Sequence, residues 1–212
     1  MIINEKGLLL GNRINNYLGK DDEANLKLIR SNRRTISLEI TPSGQVLVRA
    51  PRNMAEAEIQ GFVEEKSSWL AKHLKRREED MDSLQAEGRF TEEEIEKMLK
   101  LAKQVIPEKV AYYARLMGVT YGRITIRKQK TRWGSCSREG NLNFNCLLMM
   151  VPPEVLDYVV VHELSHRLEM NHSSRFWSQV EKVIPNYRKL RKWLKENGSC
   201  LMLRMHGIAD GE

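Results

Sequence analysis

Along the first third of the chain, apolar positions switch from a two-residue period to a helical one. Thr35-Ile36-Ser37-Leu38-Glu39-Ile40 alternates polar with apolar as a half-buried strand does, and Leu26–Arg30 is a second β-prone run. Thr41-Pro42-Ser43-Gly44 reads as a turn, with Gln45–Arg49 returning as the partner strand of a hairpin. Ile59, Phe62, Val63, Trp69, Leu70 and Leu74 then recur at helical spacing, predicting one long helix with Trp69 on its core side. Asn53 is positioned to cap that helix, with Glu56 completing a capping box. His73 falls among lysines and arginines and reads as an exposed helical residue. Polar Asp80–Phe90, containing Gly88, reads as a linker. The predicted organisation is therefore residues 1–90, β-strands and a long helix, followed by a second domain over 91–212.

In the second region Thr91 and Glu94 repeat the capping-box spacing and open a helix that Pro107 should break or kink and Gly118 should end. Tyr121–Lys128 and Asn141–Met150 read as strands, joined by a turn-rich segment that includes Arg132-Trp133-Gly134-Ser135-Cys136-Ser137. Pro152 and Pro153 suit the first turn of a helix bearing Val155, Leu156 and Val159. Asn171 is the candidate for a left-handed helix end, and Ser173 or Ser174 for the cap of the next helix, which carries Phe176, Val180 and Val183. A last helix should run from Pro185 through Leu190 and Trp193 to Gly198. The fold class that results is α+β.

Composition narrows the functional classes. With 41% hydrophobic and 30% charged residues in a chain of 212, the sequence is that of a globular protein with an ordinary core, not a disordered one. The net charge of +7 favours anionic partners such as nucleic acid or nucleotides, or simply gives a solvated surface. Three cysteines, Cys136, Cys146 and Cys200, form no metal-binding or disulfide pattern and fit reduced thiols in a cytosol. The N-terminus has no signal-sequence pattern, and the Gly7–Gly11 segment is too short to span a bilayer, so the expectation is a soluble cytoplasmic protein with no membrane partner.

The chemistry concentrates in one place, because three of the five histidines fall between residues 162 and 172. In His162-Glu163-Leu164-Ser165-His166 the histidines are four apart on a predicted helix, so both imidazoles project from one face and can reach one metal ion. Glu163 is adjacent without being a ligand, poised as general base toward a metal-activated water. His172, ten residues after His162, is the third ligand if the helix ends first and the chain turns back. Glu181 on the following helix is the competing third ligand. A nitrogen-rich set with an open position favours zinc, one ion per chain.

Three stretches together resemble the YgjP-like metal-dependent hydrolases, a family similar to the WLM and SprT-like zincin metallopeptidases. They are Lys130–Ser137, Pro152–His166, and Asn171-His172-Ser173 with Phe176-Trp177. The resemblance spans about residues 25–195; Ser165 stands where the family often has alanine. It implies a zincin-like domain with a small sheet and a metal-bearing HExxH helix, His162, His166 and His172 as ligands, and Glu163 as catalytic residue. It also implies a zinc-dependent hydrolase of peptides or proteins, with an edge strand such as Asn141–Met150 receiving an extended substrate. Hydrolysis of a nucleoside triphosphate to release pyrophosphate is the alternative activity, with Arg132, Arg138 and Arg175 available to phosphates. A non-catalytic nucleic-acid-binding protein with a structural zinc is the alternative from another class; it would require a fourth protein ligand.

Overall fold

The computed structural model describes residues 26–41 and 44–207, so Pro42, Ser43 and the N-terminal segment containing Gly7–Gly11 lie outside the described residues. The described residues form two compact units, one up to residue 85 and the other over residues 86–207. The architecture is mixed, with two small sheets and six α-helices among the described residues.

In the first unit, β1 (Leu26–Ser31), β2 (Ser37–Ile40) and β3 (Val46–Pro51) form a sheet in the order β1-β3-β2. Central β3 pairs parallel to β1 and antiparallel to β2. Val48 and Ala50 of β3 pack with Ile59 and Val63 of α1 (Glu56–Glu65). The expected single helix is in fact two, because the chain turns at Lys66 before α2 (Ser67–Glu87). Ala55, not Asn53, occupies the N-cap, and its backbone N–H donates to Glu58. Trp69 is 40% exposed and stacks on His73, so Leu70, not Trp69, supplies the buried contact of that turn. The expected linker is largely helical, since α2 continues to Glu87.

In the second unit α3 (Glu92–Met117) opens on the reciprocal Thr91–Glu94 capping box and closes on Gly118 in the left-handed conformation. Pro107 lies within this helix and does not end it. Burial of Ile95, Met98, Ala102, Ile106, Val110 and Ala114 along one face outweighs the hydrogen bond that proline removes. The sheet comprises β4 (Ile124–Arg127), β5 (Gly134–Cys136) and β6 (Leu142–Asn145) in the order β4-β6-β5. The segment Asn141–Met150 is thus neither a single strand nor an edge. Its strand lies at the centre of the sheet and passes at Cys146 into a 3₁₀ turn through Met150. Asn145 stops the strand, because its Oδ1 accepts from Leu147 N–H and its consecutive successors Cys146, Leu147 and Leu148 are all buried. The edges are β4 and β5; β5, antiparallel to β6 and in contact with the helix Pro153–Ser165, is a strand absent from the sequence pattern.

Three helices complete the unit: α4 (Pro153–Ser165), α5 (Ser174–Val183) and α6 (Tyr187–His206). Pro153 occupies the first turn of α4, whose Val155, Leu156, Val159, Val160 and Leu164 lie in the core with Phe144 and Phe176. Ser173 caps α5 by accepting from Phe176 N–H. The last helix runs well past Gly198, which is buried within it because Trp133 lies against its bare Cα.

Candidate functional site

The three clustered histidines come from the end of α4 and the loop that follows it. His162 lies in the last turn of α4, and His166 is its C-cap with right-handed dihedrals, φ −65° and ψ −15°. The helical twist therefore persists through His166, and the two imidazoles keep a common face although only the first is strictly within the helix. Beyond it the backbone tightens, with Arg167 N–H donating to Leu164 O, and Leu168 and Glu169 N–H both donating to Ser165 O. The expected left-handed turn at Asn171 does not occur, since every positive-φ residue among those described is glycine. These tight successive turns reverse the chain without it.

The reversal brings His172 back against the helix. The ligand-capable atoms of His162, His166 and His172 lie within 4.8 Å of one another. His162 Nε2 and His172 Nε2 are 3.0 Å apart, close to the roughly 3.3 Å separating two imidazole nitrogens on a tetrahedral ion with bonds of about 2.0–2.1 Å. His166 Nδ1 faces the carbonyl of Glu169 at 3.3 Å, which orients its ring and frees the opposite nitrogen. His162 Nδ1 is buried without a hydrogen-bond partner. Burial, then neighbouring His166 and His172, push the His162 imidazole down to about 3, and burial also lowers His166. Both rings are therefore neutral over the physiological range, the form in which imidazole ligates a metal. Three convergent imidazole nitrogens fit a divalent cation of intermediate softness. Glu181 is not part of this cluster; its carboxylate accepts from Arg188 Nη1 at 2.6 Å.

An aromatic wall supports the cluster. The Phe176 ring stands 4.6 to 4.9 Å from all three imidazole centroids, fixing them by contact from α5. Tyr158 meets His162 edge-on, and Trp177 stacks on His172.

The Glu163 side chain lies against Gly134 of β5 and is 5% exposed. Burial pushes its carboxyl up to about 8, opposed by the charge of Arg132. Such a group can hold a proton or release it near neutral pH. It has room only because residue 134 is glycine. A Cβ there would stand 2.7 Å from Glu163 Oε1 and 2.8 Å from Cγ. Gly134, expected in a turn-rich segment, thus sits in β5 against the Glu163 carboxyl.

The loop before β5 is held by another residue that the reading missed, Asn145. Fully buried, it donates from Nδ2 to Gln129 O at 2.8 Å and Arg132 O at 3.0 Å. A buried asparagine at the end of an apolar strand was the available signal, because such an amide must find partners. Trp133 packs on α6 at Gly198, so it is structural, with Arg132 and Gly134 on either side. Arg138 receives a hydrogen bond from Arg167 on its carbonyl, and Arg175 is exposed in the first turn of α5. Cys136 and Cys146 are free thiols, with Cys146 buried.

Two solved structures of metallopeptidase zymogens are similar to part of this chain. Abylysin from Pyrococcus abyssi shares 22% identity over 43% of this chain and 93% of its own, with a TM-score of 0.40. Jannalysin from Methanocaldococcus jannaschii shares 19% identity over 43% of this chain and 95% of its own, also with a TM-score of 0.40. No curated protein matches the sequence. The model of the YgjP-like family, metallopeptidase domain, matches residues 34–97 and 85–197, most of the sequence including every residue of the histidine cluster, and the chain belongs to that family.

Proposed function

We propose that this protein is a zinc metallopeptidase in which His162, His166 and His172 hold the metal and Glu163 is the general base. The observation that carries the reading is the convergence of three imidazoles beside a buried carboxyl of raised pKa. When bound there, zinc supplies a Lewis acid that acidifies water and polarises a carbonyl. Glu163 accepts a proton from the attacking water at its carboxylate and returns it to the departing amine. Gly134 leaves that carboxylate its space, and Phe176 and the Glu169 carbonyl fix the imidazoles in orientation. β5 pairs with β6 on one side only among the described strands, so its other edge can receive an extended peptide by strand addition, with Glu163 at the level of Gly134. Three candidate ligands converge among the described residues, a number that favours a catalytic over a structural metal and weighs against an adaptor.

The test joins metal analysis to peptide hydrolysis. The parent protein should carry one zinc and cleave an unstructured protein substrate. His172→Ala should lose or weaken the metal, whereas Glu163→Gln should keep it and lose at least a hundredfold in kcat. A fully active Glu163→Gln protein would refute the assigned base.

A further inference from the structure

Strand β5 is three residues long, and side chains hold the backbone on both sides of it. Before it, the Asn145 amide donates to Arg132 O, two residues ahead of Gly134. After it, Arg167 Nη1 donates to Arg138 O at 2.9 Å, two residues beyond Cys136. The same guanidinium donates from Nε to Thr120 O at 3.0 Å, in the segment leading from α3 into β4. It also hydrogen-bonds the Cys136 thiol at the end of β5. It lies against the bare Cα of Gly140, where an added Cβ would stand 2.8 Å from Cζ and 2.9 Å from Nε. Gly140 closes the turn between β5 and β6, its N–H donating to Ser137 O.

Arg167 is itself fixed at its backbone. It directly follows His166, and its N–H donates to Leu164 O in the first of the tight turns that carry the chain from His166 to His172. One side chain therefore ties the turn between two of the three clustered histidines to the end of the strand whose first residue abuts Glu163. The strand has little else to hold it, since its ladder with β6 comprises only Gly134↔Phe144, Ser135↔Asn143 and Cys136↔Leu142. A guanidinium can hold two carbonyls at once because its N–H donors form a rigid fork; an ammonium on a flexible stem does not.

Resting on the peptidase reading, in which β5 receives the substrate, we infer that Arg167 is a positioning residue that sets the β5 edge against the turn between the metal ligands. It acts through the strand on the binding of an extended peptide, not on proton transfer at Glu163. The peptide so held is recognised through its backbone, because an edge strand offers N–H and C=O groups. Removing the guanidinium frees one end of β5, while Gly134 stays at the end that Asn145 anchors. Peptide affinity therefore falls, and metal binding and turnover of bound peptide are kept.

The experiment measures zinc content, kcat and KM for the parent, Arg167→Met, Arg167→Lys and Lys103→Met, the last removing the same charge from an exposed position on α3. Two peptides of one sequence serve as substrates, one plain and one N-methylated at the amides flanking the bond to be cut, which prevents strand pairing. On the parent the plain peptide should have the lower KM. Arg167→Met should raise that KM about tenfold, with one zinc per chain and kcat within about threefold of the parent, and leave the KM of the methylated peptide unchanged. Arg167→Lys should show most of the same rise, because it keeps the charge without the fork. Lys103→Met should match the parent. Unchanged KM in Arg167→Met overturns the inference, as does an equal rise for both peptides or a parental KM in Arg167→Lys. Zinc and kcat lost together with affinity also overturn it, reducing Arg167 to a staple of the fold. Should Arg167→Met not fold, the two peptides compared on Arg167→Lys decide. A zinc-loaded parent that cleaves neither peptide rejects the peptidase reading itself, whereas an active parent with insensitive variants rejects only the role of Arg167.

Discussion

Glu163 lies directly over Gly134: a single methyl group at residue 134 would come within 2.9 Å of the carboxyl carbon and closer still to Oε1. The two residues are far apart in sequence, and β5 brings them together by running along the face of α4 that carries the glutamate. Gly134 has no positive φ, so the requirement is for space, not for backbone freedom. Gly134→Ala should displace the carboxyl or push β5 outward. The expected outcome is at least a tenfold fall in kcat with zinc content unchanged, and a stability loss of about 1–3 kcal/mol from overpacking. Parallel metal analysis and kinetics distinguish this from loss of the metal, and unchanged kcat would show that the strand yields freely.

The metal-free protein should have a two-sided pH profile. Its His162 imidazole is pushed down from 6.5 to about 3 by burial and its histidine neighbours, so acid protonates the unfolded chain before the folded one. Stability is therefore lost as pH falls below 6.5. Its Glu163 carboxyl is pushed up from 4.5 to about 8, chiefly by burial, so the folded state keeps a proton that the unfolded chain has released. That contribution is present below 4.5 and lost as pH rises through 8. The two effects oppose each other between 4.5 and 6.5, leaving a plateau there. Denaturant melts in chelator should show Glu163→Gln gaining on the parent between pH 6 and 8. A constant difference over that interval would mean that folded Glu163 is already ionised.

Asn145 is predicted to matter well beyond its size. Asn145→Leu removes the amide that ties Gln129 O and Arg132 O to the sheet and the acceptor for Leu147 N–H. Leaving these groups without their partner should cost about 2–4 kcal/mol in urea unfolding. Catalytic activity should fall further than metal affinity, because β5 follows the released loop whereas the histidines sit on α4 and its C-terminal loop. Equal losses in both would place the effect on the fold as a whole.

Glu181→Ala provides the counterpart to His172→Ala. The carboxylate pairs with Arg188 on an exposed surface, so its loss should cost less than about 1 kcal/mol. Zinc stoichiometry measured after dialysis should stay at one per chain. Loss of the metal in this variant would return Glu181 to the ligand set.

How much of this was legible in the sequence follows from the range of each interaction. His162, Glu163 and His166 were readable because their relationship is that of one helical turn, fixed by local geometry. The Thr91–Glu94 capping box and the end at Gly118 are equally local, and both appear as the spacing suggests. Predictions that depended on balance between local signals and packing failed. Pro107 stays inside a helix because six buried side chains hold it there, and Trp69 is half-exposed because Leu70 faces the core instead.

The amino-acid sequence by itself determined that His162, Glu163 and His166 fall within about one turn of one helix end, a relationship encoded locally. Only the tertiary structure decided that His172 and not Glu181 joins the cluster, since that depends on how the loop after His166 reverses. It also decided that β5 is an edge strand and that Gly134 makes room for Glu163. A strand of three residues is too short to show alternation. The empty space above a glycine is a property of what packs against it, and no period along the chain records that.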